Sequence, residues 1–242
     1  MVRGKNIPLD ERIIFALDVD SHEAAQKWVE RLEDHVRFYK VGLQLFLAGW
    51  FRTVDWIVQR GHKVMVDLKF FDIPETVSHA VRQLKDRGVT FATVHGNDPI
   101  IEGAVKEKDG LKILAVTALT CFGEEDMIEM FGQPVDIEEL VLSRARRALR
   151  IGADGVVSSG LETRRLRDDL GGRFLIVTPG IRPGKNREIP MDDQKRIITA
   201  GEAVANGADH VVVGRPIRTS PDPLAVVRQM QAEILRAMET RK

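Results

Sequence analysis

The sequence predicts an α/β fold, a (β/α)8 TIM barrel forming a single domain over residues 1–242. Three observations predict it. β-rich runs alternate with helical patterns along the whole chain. There are eight runs of each kind. The length is also that of one barrel, about 250 residues. Strands separated by helices pair in parallel through crossover connections, and eight such units favour closure over an open doubly wound sheet. An open sheet is the alternative, but the first run is not followed by a Gly-x-Gly-x-x-Gly fingerprint.

The expected strands are 13–18, 38–41, 63–69, 90–95, 112–117, 155–157, 174–178 and 210–214. The helical patterns are 21–33, 43–60, 74–87, 99–106, 137–150, 162–168, 194–206 and 222–238. Ser21 is placed to cap the first of these helices, with Glu23 in its first turn. Pro74 suits a first helical turn, where its missing N–H costs little. Gly61, Gly88, Gly152 and Gly207 each follow a helical pattern, where a left-handed residue ends a helix. The connection 180–193, with two prolines and three basic residues, is too long for a turn and reads as a lid or binding loop.

Composition narrows the function classes. Lys+Arg and Asp+Glu balance at 36 each, which gives no basic excess for nucleic acid. Cys121 is the single cysteine, so neither an internal disulfide nor a cysteine-rich zinc site is available. The first residues lack the apolar core of a secretory signal. No apolar run approaches the roughly 20 residues that span a bilayer. The cytoplasm is the expected location, with no membrane partner.

The chemistry should collect where barrel strands end, at the C-terminal mouth. Side chains alternate along a strand, so Asp67 and Lys69 share one face and Leu68 takes the other. With Leu68 outward against the helices, Asp67 and Lys69 enter the mouth. The same alternation turns Asp18 and Lys40 inward on neighbouring strands. Any one of these charges alone reads as a structural ion pair. Two acids and two lysines together read as a site, because isolated charges buried there would be costly.

A second cluster has the character of a phosphate site. Barrels often bind phosphate with the loops after strands seven and eight. Gly214 permits close approach of an anion to the backbone, Arg215 offers a charged planar fork, and Gln194 sits where the long loop joins the next helix. His95 reads as a hydrogen-bonded structural residue, since no histidine shows metal-site spacing. Cys121 reads as a small apolar residue, Arg144–Arg150 as a solvated helix face, and Trp50 and Trp56 as helix–barrel packing.

These residues resemble a known family. Asp67-Leu68-Lys69-Phe70-Phe71-Asp72-Ile73-Pro74-Glu75-Thr76 is similar to the D-x-K-x-x-D-I-P-x-T signature of orotidine 5′-monophosphate (OMP) decarboxylases. Phe15-Ala16-Leu17-Asp18, Tyr39-Lys40-Val41-Gly42, Thr178-Pro179-Gly180-Ile181-Arg182-Pro183, Asp193-Gln194-Lys195-Arg196 and Val213-Gly214-Arg215-Pro216 match in the family's order. The D-x-K-x-x-D core is shared with sugar-phosphate enzymes, whereas its combination with the Thr-Pro-Gly-Ile-Arg and Asp-Gln segments is more specific.

The resemblance implies decarboxylation of OMP to UMP and CO2 without cofactor or metal. It implies Lys69 as proton donor to C6, Asp67 beside the substrate carboxylate, Lys40 bridging the acids and the ribose region, and Asp18 on ribose hydroxyls. Asp72 and Thr76 would reach the active site of a partner subunit in a homodimer. Thr120 would lie near the pyrimidine. Arg182, Gln194, Gly214 and Arg215 would hold the phosphate region, with Gln194 also touching the base. Cys121 stands where many relatives carry serine, and the segment 185–191 departs from the commoner Gly-Asp-Gln lead-in. Two other readings remain at this point: a magnesium-dependent sugar-phosphate decarboxylase or aldolase of the same superfamily, and a catalytically inactive nucleotide-binding barrel.

Overall fold

The computed structural model describes residues 5–184 and 196–240. Its strands are β1 (Ile13–Ala16), β2 (Phe38–Gly42), β3 (Lys63–Phe70), β4 (Phe91–His95), β5 (Lys112–Val116), β6 (Gly155–Val157), β7 (Leu175–Thr178) and β8 (His210–Val213). They pair in parallel in chain order, and β8 closes on β1. The (β/α)8 barrel is therefore the fold.

The helices are α1 (Leu9–Arg12), α2 (His22–Leu32), α3 (Leu43–Gly49), α4 (Phe51–Gln59), α5 (Pro74–Lys85), α6 (Asp98–Lys106), α7 (Glu124–Phe131), α8 (Ile137–Ile151), α9 (Thr163–Leu170), α10 (Ala200–Asn206), α11 (Arg215–Arg218) and α12 (Pro223–Glu239). The Ser21 hydroxyl accepts from the Ala24 N–H, and Pro74 opens α5. Gly61, Gly88, Gly152 and Gly207 all have positive φ. None of the described helices is long and apolar enough to cross a membrane.

Strand alternation creates two apolar layers. Ile14, Phe38, Met65, Phe91, Leu114, Val177 and Val212 fill the barrel interior. Phe15, Tyr39, Val64, Val66 and Val211 pack outward beneath the helices. The interior layer is a plug below the mouth rather than a channel. Underneath it, the Asp209 carboxylate accepts from Lys5, Arg167 and the Ile176 N–H, tying the start of the chain across the barrel's floor.

Several elements differ from the pattern reading. The expected helix 43–60 is two helices, because Trp50 adopts φ 47° and ψ −139°. The break lets the Phe46 and Phe51 rings meet edge-on 5.2 Å apart. It also turns Trp50 outward, 62% exposed, against the packing role expected of it. Trp56 does pack on the core. Arg144 is not on a solvated face, since it is half-buried and donates to the Thr117 carbonyl at 2.6 Å. α1, α7 and α11 lie in segments where no helix was expected. α7 buries only Met127, too little to print a periodic stripe. The described part of the expected helix 194–206 begins at Ala200, where Thr199 and Glu202 form a capping box.

Candidate active site

The ends of β1, β2 and β3 bring the predicted charges together. Lys40 Nζ lies 3.2 Å from Asp18 Oδ1 and 3.5 Å from Asp67 Oδ2. Lys69 Nζ lies 3.0 Å from the Asp67 carboxylate. The four groups thus alternate in sign along one chain of contacts, Asp18–Lys40–Asp67–Lys69. Leu68 faces the outer layer, as strand alternation requires.

Burial is graded along this chain. The Asp67 and Lys40 side chains are almost wholly buried, Lys69 is about one third exposed, and Asp18 is the most open. Burial pushes the Asp67 carboxyl up, but Lys40 and Lys69, with hydrogen bonds from Lys69 and Thr93, more than offset it, and its pKa lies below the ordinary carboxylate value. Burial pulls the Lys40 ammonium down, and the charges of Asp67 and Asp18 overcome that and raise it. Asp67 and Lys40 therefore hold each other in the charged form, and Lys69 is the more open of the two lysines.

Local backbone geometry makes the array. Lys69 has φ 48°, a left-handed conformation that costs a non-glycine residue roughly 1–2 kcal/mol. The β3–β4 ladder shifts register between Val66 and Phe70 at the same point. The Thr93 hydroxyl accepts from the Lys69 N–H at 3.0 Å and donates to Asp67 Oδ1 at 2.9 Å. Two glycines make room. A Cβ on Gly42 would lie 3.1 Å from Lys40 Nζ, and one on Gly214 would lie 3.0 Å from Asp18 Oδ2. Thr93 lies outside the sequence motifs, and Gly42 enters them only as the last residue of Tyr39-Lys40-Val41-Gly42. A polar residue one strand over from Asp67, at an inward position, was the available signal.

The remaining predicted residues are placed as follows. Gly214 and Arg215 sit at the β8 end, where Gly214 precedes α11 and both are half-buried. The closeness of Gly214 to Asp18 puts this segment beside the charge array. Thr120 is buried in the segment after β5. The preceding Leu119 carbonyl accepts from Arg196, which also pairs with Glu162 at 2.5 Å. Arg182 is buried, with Nη1 on the Ile181 carbonyl at 2.8 Å and its backbone N–H on Ile198. Gln194, with positions 185–193 of the long connection, lies outside the described residues.

Asp72 and Thr76 are exposed, and among the described residues no ion pair joins Asp72 to the array. Asp72 Oδ1 accepts from the Ile73 N–H at 2.7 Å. Phe71 and Ile73, on either side of Asp72, are exposed as well, as are Leu43 and Leu47 on α3. His95 is hydrogen-bonded as expected, to Asn97 at 2.7 Å, and its ring lies against Phe71. Cys121 is half-buried. Among the described residues no group of three or more His, Cys, Asp or Glu side chains converges as metal ligands.

Known proteins resemble this chain in sequence and fold. The family profile described as "Orotidine 5'-phosphate decarboxylase / HUMPS family" matches residues 11–230. The orotidine 5'-phosphate decarboxylase of Methylococcus capsulatus is 54% identical over 96% of this chain and 95% of its own length. That of Stenotrophomonas maltophilia is 44% identical over 96% of each chain. The crystal structure of orotidine 5'-phosphate decarboxylase from Lactobacillus acidophilus superposes with a TM-score of 0.78 at 35% identity, covering 92% of this chain and 98% of that one. The match spans nearly the full barrel and includes every residue of the charge array, and the chain belongs to the orotidine 5'-phosphate decarboxylase / HUMPS family.

Proposed function

We propose that the protein decarboxylates orotidine 5′-monophosphate to UMP and CO2, the last step of de novo UMP synthesis, through a C6 carbanion protonated by Lys69. The observation that carries this reading is the alternating array Asp18–Lys40–Asp67–Lys69 at the barrel mouth. Family membership supplies the substrate.

In this reading the C6–carboxylate bond breaks, its electron pair stays on C6, and CO2 departs. The Lys69 ammonium faces the developing charge, a contact that strengthens as bound substrate displaces water. It then gives its proton to C6. Asp67, held ionised between the two lysines, sits beside the substrate carboxylate. Two like charges about 4 Å apart cost on the order of 4 kcal/mol at an effective dielectric of 20, roughly a thousandfold in rate. Transition-state stabilisation by Lys69 must therefore carry the larger share of a big acceleration.

Substrate contacts follow from the family resemblance. Asp18 takes the ribose hydroxyls, and Lys40 links the two acids to the ribose side. Thr120 lies by the pyrimidine. Arg182, Gln194, Gly214 and Arg215 hold the phosphate, with Gln194 also reaching the base. Phosphate binding energy is then spent at the reacting carbon. The working unit is a homodimer in which Asp72 and Thr76 complete the partner's site. The exposure of both, in a segment that also exposes Phe71 and Ile73, supports this. We place the enzyme in the cytoplasm, with neither nucleic acid nor membrane as partner, and assign the chemistry to side chains without a cofactor.

The test is turnover of OMP, followed by its loss of absorbance, with and without chelator. Wild-type activity insensitive to EDTA, and loss of it in Lys69→Ala with the fold retained, are expected. Turnover of a sugar phosphate that chelator abolishes would move the protein to the metal-dependent branch. UMP binding with no OMP turnover would make it a nucleotide-binding barrel.

A further inference from the structure

We propose that Thr93 is a positioning residue for this reaction: its buried hydroxyl locks the Asp67 carboxylate to the backbone of Lys69. The inference rests on the decarboxylase reading and adds a residue to it.

The argument begins with strand register. Val66 lies opposite Ala92 and Phe70 opposite Val94. Asp67, Leu68 and Lys69 therefore bulge from β3 across from Thr93 alone. A bulge re-aims side chains, but it removes the ladder partners of the residues within it. The Lys69 N–H finds its acceptor in Thr93 Oγ1 instead, at 3.0 Å. That contact lies beside the left-handed φ of Lys69, the feature that brings its ammonium back to 3.0 Å from Asp67. Left-handed backbone in a non-glycine residue persists only where its surroundings over-determine it.

The direction of the hydroxyl proton then follows. An amide N–H only donates, and an ionised carboxylate only accepts. With its oxygen accepting from Lys69, the hydroxyl commits its proton to Asp67 Oδ1, at 2.9 Å. One hydroxyl, fully buried, thus sets the carboxylate of one site residue against the main chain of the other. Valine has the same branched shape without either hydrogen bond, and serine keeps both.

The charged groups facing Asp67 are Lys40 from β2 and Lys69 from its own strand, with Asp18 from the β1 end beyond Lys40. From β4 it receives the uncharged Thr93. The donor from Thr93 is one of the contacts that hold the Asp67 pKa down, so its removal shifts that pKa upward.

The experiment compares Thr93→Val and Thr93→Ser with wild type. For Thr93→Val we expect kcat to fall roughly tenfold or more, the effect of losing a hydrogen bond to a charged group. KM for OMP should stay within about twofold, as befits a residue that does not touch substrate. The acid limb of the kcat–pH profile should move to higher pH, and Thr93→Ser should restore both. A 13C NMR titration of the Asp67 carboxyl should show the same upward move in Thr93→Val and its reversal in Thr93→Ser. Wild-type kcat and an unmoved acid limb in Thr93→Val would overturn the proposal, as would a serine variant as slow as the valine one. Should Thr93→Val not fold, Thr93→Ala against Thr93→Ser provides the same contrast. A wild-type chain that does not turn OMP over would refute the decarboxylase reading instead, and the carboxyl titration would still decide the hydroxyl link.

Discussion

His210 opens β8 on the barrel floor, where it is buried against the edges of Phe38 and Phe91, with ring centroids 5.5 and 5.3 Å away. Its Nδ1 lies 2.8 Å from the Glu11 carbonyl. A carbonyl only accepts, so Nδ1 carries a proton and donates. Burial pulls its pKa from 6.5 down to about 4, against the opposing pull of the Glu11 hydrogen bond and Asp209. A histidine with a depressed folded pKa leaves stability intact above its unfolded pKa. As pH falls below 6.5 the unfolded chain binds a proton that the folded chain refuses, and stability drops until the folded pKa is reached. At 1.36 kcal/mol per pH unit the full loss is about 3 kcal/mol, of which about 2 kcal/mol has been lost by pH 5. Burial also pushes the Glu162 carboxyl up, so a comparison with a variant that lacks the imidazole is needed. Urea unfolding of wild type and His210→Gln at both pH values, at one protein concentration, isolates this residue. The glutamine amide retains a donor for Glu11 and does not titrate. Wild type should lose about 2 kcal/mol more than the variant over the interval. Equal losses in the two proteins would refute the reasoning, because the buried imidazole would then be charging freely.

Other outcomes follow from the site. Lys40→Ala leaves the buried Asp67 without one of its two ammonium partners, and should lower stability by about 3 kcal/mol, read from the urea midpoint, while OMP turnover collapses. Arg215→Ala should weaken UMP binding far more than uridine binding in a titration, and an unchanged UMP affinity would remove Arg215 from the phosphate region. Mixing inactive Lys69→Ala and Asp72→Asn proteins and allowing protomers to exchange should regenerate about a quarter of wild-type activity, since half the dimers become hybrids with one intact site. No recovery after proven exchange would mean that Asp72 serves its own chain or none.

The parts of this protein that were legible in the sequence are those set by local periodicity. Alternation at Asp67-Leu68-Lys69 placed the outer face at Leu68 and the mouth on either side of it, and the structure has that arrangement. Eight β-rich runs divided by helical patterns were enough for the barrel, because each unit buries its own apolar faces in the same way. Glycines after helical patterns marked real left-handed helix ends for the same local reason.

Only tertiary structure decided the rest. Thr93 is separated from Asp67 by a whole helix, and its hydroxyl matters because the β3 ladder slips against β4, a register that no single run encodes. The helix break at Trp50 depends on Phe46 and Phe51 meeting on the core, and the burial of Arg144 depends on the Thr117 carbonyl at the end of another strand. Side-chain pattern along one strand or helix is a property of that segment alone. Register, bulges and cross-strand hydrogen bonds are properties of pairs of segments, and they exist only once the barrel has closed.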